Sequence, residues 1–128
     1  MENLKDILLS SHVQSVKFAA KSEFHANLVK MSTALHVACL QNNMDTVKYL
    51  LDRSKIDVNY LDRTGSTALM YAAWKGYLPL VKLLVLQYGA DPRIKNFKNG
   101  TAEKYARHAG WKKVAEFLRI QAQQQNKN

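Results

Sequence analysis

One phrase returns three times in this chain at a fixed step, and that recurrence constrains the fold more than any other feature. Thr33-Ala-Leu-His-Val-Ala-Cys39, Thr67-Ala-Leu-Met-Tyr-Ala-Ala73 and Thr101-Ala-Glu-Lys-Tyr-Ala-Arg107 stand 34 residues apart. Each is followed by a second apolar segment: Val47-Lys-Tyr-Leu-Leu51, Leu80-Val-Lys-Leu-Leu84 and Val114-Ala-Glu-Phe-Leu118. Turn-forming clusters separate the copies. These are Asp57-Val-Asn-Tyr-Leu-Asp-Arg-Thr-Gly65, and Gly89-Ala-Asp-Pro-Arg93 running on to Asn99-Gly100. They are rich in residues that tolerate positive φ or fix a turn. Each unit therefore reads as helix, reversal, helix and extended turn. A period of this length belongs to an all-α solenoid, whose units bury their apolar faces only by stacking on one another.

These phrases resemble the ankyrin repeat. The family's Thr-Pro-Leu-His-x-Ala opening, Gly-His reversal, Val-x-x-Leu-Leu second helix and Gly-Ala-Asp-Val-Asn loop all have counterparts between residues 33 and 118. Gly76-Tyr77 takes the reversal, and Gly89-Ala90-Asp91 and Asp57-Val58-Asn59 take the loop phrases. Ala34, Ala68 and Ala102 stand where the family usually has proline. That change removes a residue preorganised for the first helical position but supplies the best helix former. The step implies one extra residue per unit, expected near Ser54-Lys55 and near Tyr88. The resemblance implies an ankyrin-repeat solenoid of stacked helix-turn-helix units with extended, hairpin-like loops.

The chain divides into a degenerate amino-terminal capping repeat over 1–32, repeats over 33–66 and 67–100, a carboxyl-terminal cap over 101–120, and a polar tail over 121–128. The first of these rests on Leu4, Ile7-Leu8, Ser11-His12 and Val16-Lys17-Phe18, which overlay Leu69, Ala72-Ala73, Gly76-Tyr77 and Val81-Lys82-Leu83 at one offset. Its loop is expected at Lys21 to Ser32. All five segments form one domain, with a start at Met1 and a tail that fit a complete small protein, monomeric by itself.

No apolar run approaches the roughly 18 residues a membrane span needs, and the opening residues do not read as a signal peptide. A lone cysteine, Cys39, excludes an internal disulfide framework and favours a reducing compartment, cytoplasmic or nuclear. Charge is lopsided. Residues 1–63 carry 8 Lys+Arg and 7 Asp+Glu, whereas residues 64–128 carry 11 against 3, a net +8. That half presents a field attractive to acidic partners, or else simply a solubilising surface.

No catalytic constellation stands out: no Gly-rich phosphate loop, no paired carboxylates and no metal-ligand spacing occur. The chain reads as a non-enzyme without cofactor or metal. By the resemblance, His36 is a structural histidine bonding neighbouring turns, and Cys39 replaces a small buried alanine. The resemblance also implies one concave face lined by loop tips and first helices. Mapped here, those positions are Leu61, Arg63, Ser66, Trp74, Lys75, Lys95, Phe97, Lys98 and His108, with Val29, Lys30, Leu40 and Gln41 in the preceding unit.

Either Trp74 and Phe97 fold against adjacent units, or they anchor a partner. The second reading suits a protein segment with apolar anchors and acidic flanks. Nucleic acid or anionic lipid is the alternative, because Arg and Lys interleaved with Phe97 and Trp111 also fit phosphate contacts and stacking. Asn59, eight residues after Leu51, resembles loop asparagines that an oxygen-sensing enzyme hydroxylates in animal ankyrin repeats. It is a candidate modification site, or it simply braces its turn.

Overall fold

The computed structural model describes the backbone of residues 21–126 and the side chains of residues 30–125. Six α-helices follow in order: α1 Lys21–Leu40, α2 Met44–Arg53, α3 Ala68–Lys75, α4 Leu78–Lys82, α5 Ala102–His108 and α6 Lys112–Asn126. Among the described residues there is no strand. Each first helix packs on its own second helix, α1 on α2, α3 on α4 and α5 on α6. Across units α1 packs on α3 and α3 on α5, while α4 packs on α6. The first helices thus form one layer of an all-α stack and the second helices the layer behind it. Leu35, Leu50, Leu69, Leu80, Leu84 and Leu118, all fully buried, fill the space between.

Threonine starts two of these helices. Thr67 Oγ1 accepts from the Met70 N–H at 3.3 Å, and Thr101 Oγ1 accepts from the Lys104 N–H at 3.2 Å, each satisfying an orphan donor of a first turn. The third threonine of the repeated phrase behaves differently. Thr33 lies exposed in the middle of α1, and the loop expected at Lys21 to Ser32 is helix. Backbone signs explain the difference. Left-handed residues recur at the repeat step, with Asn42, Gly76 and Gly110 at the reversals and Gly65 and Asn99 at the loop tips. One step before Gly65 stands Met31, a buried side chain that a left-handed conformation would strain. With no glycine or proline between residues 21 and 40, nothing there stops the helix. The rest of the proposed amino-terminal copy, residues 1–20, lies outside the described residues.

The extra residue expected near Tyr88 is absorbed one turn earlier. Helix α4 continues as a π-helical turn over Leu83–Gln87, a geometry that accommodates one surplus residue without breaking the helix. The Ala90 N–H then donates to Leu84 O at 2.9 Å around Gly89, closing the end.

Candidate partner-binding face

Two loop tips share one construction. In the first, Asp62 Oδ1 accepts from the Thr64 N–H at 2.9 Å and the Ser66 N–H at 3.0 Å, and the Tyr71 hydroxyl donates to Oδ2. In the second, one step later, Asn96 Oδ1 accepts from the Lys98 N–H at 3.1 Å and the Gly100 N–H at 2.9 Å. Asn96 Nδ2 donates to the Tyr105 hydroxyl at 2.6 Å and to Ser66 Oγ at 3.0 Å. Asx side chains that capture backbone amides two and four residues on hold a tight loop, and each tyrosine ties that loop to the helix behind it. The tips also join each other, since the Phe97 N–H donates to Thr64 O at 3.0 Å.

Burial raises the Asp62 pKa, but hydrogen bonds from Thr64, Tyr71 and Ser66 outweigh it and hold the carboxyl at about 2. A folded pKa below the unfolded value of about 3.9 means that the stabilisation is complete above pH ~4 and disappears as pH falls through ~2. Asp62→Asn is therefore expected to be less stable near pH 6, by about 1 kcal/mol once solvent screening is allowed for. The gap from wild type should close by pH ~2. Thermal melts of both proteins across that range check the sign.

Most of the expected site residues reach solvent. Leu61, Arg63, Trp74, Lys75, Lys95, Phe97, Lys98 and His108 are exposed. Ser66 is not. It is buried, and it accepts from residues 30 positions away on both sides, through its carbonyl from His36 Nε2 at 3.0 Å and through Oγ from Asn96. A serine in a turn looks solvated in sequence, and only long-range packing claims it. The exposed residues fall into separate places. Leu61 and Arg63 line a depression with Thr33, Tyr60 and Thr64. His108 lies in another with Thr101, Lys104 and Arg107. Phe97, 78% exposed, lays its ring on Gly65, so that a Cβ there would sit 2.8 Å from Phe97 Cδ1.

Trp74 stands half-exposed on α3, with Lys75 Nζ 5.6 Å from its ring centroid. Beside it is a depression of about 160 Å³ lined by Ser66, Met70, Tyr71, Trp74 and Tyr105. Met70, Tyr71 and Tyr105 were not among the residues expected from sequence. The recurrence of tyrosine at 71 and 105, one repeat apart, was the available signal. Trp111 flanks the same corner: its indole N–H donates to Trp74 O at 3.0 Å and its ring covers Gly76. The ten basic side chains from Lys75 to Arg119 are all exposed.

The residues weighed for chemistry are engaged in structure. His36 is buried, with Nδ1 2.8 Å from Ser32 O and Nε2 turned to Ser66 O. Tyr60 and Tyr71 meet it edge-on. Burial pushes the Cys39 thiol up to about 12, which keeps it protonated and unreactive at neutral pH. Asn59 Oδ1 accepts from the Asp91 N–H at 2.8 Å, bracing one loop against the next. No described helix is long and apolar enough to cross a membrane.

A family model described as "Ankyrin repeats (3 copies)" matches residues 7–96. The chain is 47% identical over 58 residues to palmitoyltransferase akr1 of Schizosaccharomyces pombe, a match that covers 45% of this chain and 9% of that protein. It is 36% identical over 104 residues to the poly(ADP-ribose) polymerase tankyrase of Caenorhabditis elegans, covering 79% of this chain and 4% of that one. Among solved structures, it is similar to a chain in the complex of the predatory endopeptidase Bd0816 from Bdellovibrio bacteriovorus with immunity protein Bd3460. That match has a TM-score of 0.63 and 38% identity, and it covers 68% of this chain and 45% of that chain. Ankyrin repeats are protein-interaction modules. With the family pattern running through most of its length and helix pairs stacked at the repeat step, this chain belongs to the ankyrin-repeat family.

Proposed function

We propose that this chain works without catalysis, by holding another protein on the layer of first helices and loop tips between Leu61 and His108. The observation that carries this reading is Trp74. A large aromatic side chain left half-exposed on a first helix, beside a formed depression and among basic side chains, has the composition of an interface anchor. The partner has apolar anchors and acidic flanks; its charge steers the encounter and the aromatic contacts supply the affinity. A solved relative in a protein–protein complex fits this reading.

The exposed basic side chains around Phe97 and Trp111 favour a second reading, direct binding of nucleic acid or anionic lipid. Affinity capture with wild type, Trp74→Ala and Lys95→Glu/Lys98→Glu separates the two. Trp74→Ala is expected to weaken capture about tenfold, with little salt dependence, while the charge reversal slows association and weakens capture mainly at low salt. Capture that survives both changes sinks the protein-binding face. Capture abolished by nuclease, and falling by orders of magnitude between low and moderate salt, establishes the second reading instead.

A further inference from the structure

The depression beside Trp74 has a size, a lining and an electrostatic setting that together describe one occupant. Its volume of about 160 Å³ is close to that of a cavity that takes up a single benzene ring, which is room for one side chain. Two phenol rings, an indole and a thioether make the walls. Flat aromatic walls suit another ring or a branched aliphatic group, and Met70 can adjust to either.

The side-chain oxygens of Ser66, Tyr71 and Tyr105 on the lining are turned into the loop network. Ser66 Oγ and the Tyr105 hydroxyl accept from Asn96 Nδ2, and the Tyr71 hydroxyl donates to Asp62. A polar occupant would therefore give up its hydration for few new bonds.

The charges decide against a cation. Asp62 is the carboxylate behind this wall, and it is already bonded by Thr64, Ser66 and Tyr71. Glu103 on α5 is ion-paired with Arg107. Trp74 already has an ammonium, that of Lys75, over its ring. Lys75 and Lys104, each next in sequence to a lining residue, and Lys98, whose N–H bonds Asn96, are exposed.

Resting on the protein-binding reading above, we infer that the Trp74–Tyr105 depression is a single-residue specificity pocket. It takes one Phe-, Leu- or Ile-sized side chain from an acidic segment of the partner. Trp74 and Tyr105 are its selecting walls, and the lysines engage carboxylates on either side of the inserted residue.

Selection of a random dodecamer peptide library displayed on phage tests this without knowledge of the natural partner. Wild-type protein is expected to enrich peptides with one aromatic or branched aliphatic residue among Asp and Glu. Replacing that residue by alanine in an enriched peptide should weaken binding about tenfold to a hundredfold, the range for burying one such side chain. Trp74→Ala, at a half-exposed position and with circular dichroism as the check on its fold, should lose the apolar preference and keep the acidic one. Enrichment of acidic peptides with no apolar residue, unchanged by Trp74→Ala, overturns the pocket and leaves the protein-binding face standing. Enrichment of Lys- or Arg-centred peptides overturns the pocket's selectivity. No enrichment, beside a control domain that does enrich, overturns both readings together.

Discussion

Asn96→Ala is expected to remove about 3 kcal/mol of stability and about 10 °C of melting temperature, although the residue is a short polar side chain in a loop. The reason is the number of partners it serves. Its amide accepts from the Lys98 and Gly100 N–H groups and donates to Ser66 and Tyr105, and the residue is only 7% exposed. Alanine leaves the buried Gly100 N–H without its partner and removes the bonds to Lys98, Tyr105 and Ser66, of which Ser66 Oγ keeps Thr64, so the cost exceeds that of an exposed loop bond.

Asn96→Asp provides the contrast. Two N–H groups and two hydroxyls can all donate to a carboxylate, an arrangement Asp62 already uses one repeat earlier. It should keep more than half of what alanine loses. Urea unfolding with a common slope measures both. A loss under about 1 kcal/mol for alanine would mean that the network contributes no more than an exposed loop does.

The second large effect is expected at Gly76, which ends α3 in the left-handed region with φ of 76°. A Cβ there would lie 2.3 Å from Trp111 Cδ2. Gly76→Ala combines about 1 kcal/mol of backbone strain with displacement of an indole that covers the turn and bonds Trp74 O. The total should reach about 2 kcal/mol. Trp111→Ala alone isolates the second component. A Gly76→Ala/Trp111→Ala double variant is expected to be less destabilised than the sum of the single changes, because the clash is gone. Strict additivity in that cycle would show that the indole and the turn are energetically independent.

What could be read from the sequence and what could not follow one division. Features encoded within a unit were legible: Thr67 and Thr101 as helix starts, Gly76 at the reversal, and His36 and Cys39 as packed residues. Features that arise from stacking units were not. Ser66 reads as a surface residue because nothing local says that His36 and Asn96, each 30 residues away, will reach it. The pocket residues Met70, Tyr71 and Tyr105 come from two helices, and only their packing brings them together. Lys21 to Ser32 is helix and not the loop that the repeat offset predicts, because Met31 stands where the later units have a left-handed residue to make the turn. The surplus residue expected near Tyr88 is taken up inside the helix, in the π-helical turn over Leu83–Gln87.

The contact between Trp111 and the Trp74 carbonyl has a spectroscopic consequence. These are the chain's two tryptophans, and both sit where the end of α3 meets the start of α6, whereas α1 and α2 carry none. Indole emission therefore registers the opening of one junction, while far-UV ellipticity registers every helix. In a solenoid whose units hold only their neighbours, loss that begins at the amino-terminal side should lower ellipticity before emission changes. The interval between the two melting curves then measures, without any added label, how far the stack comes apart one unit at a time.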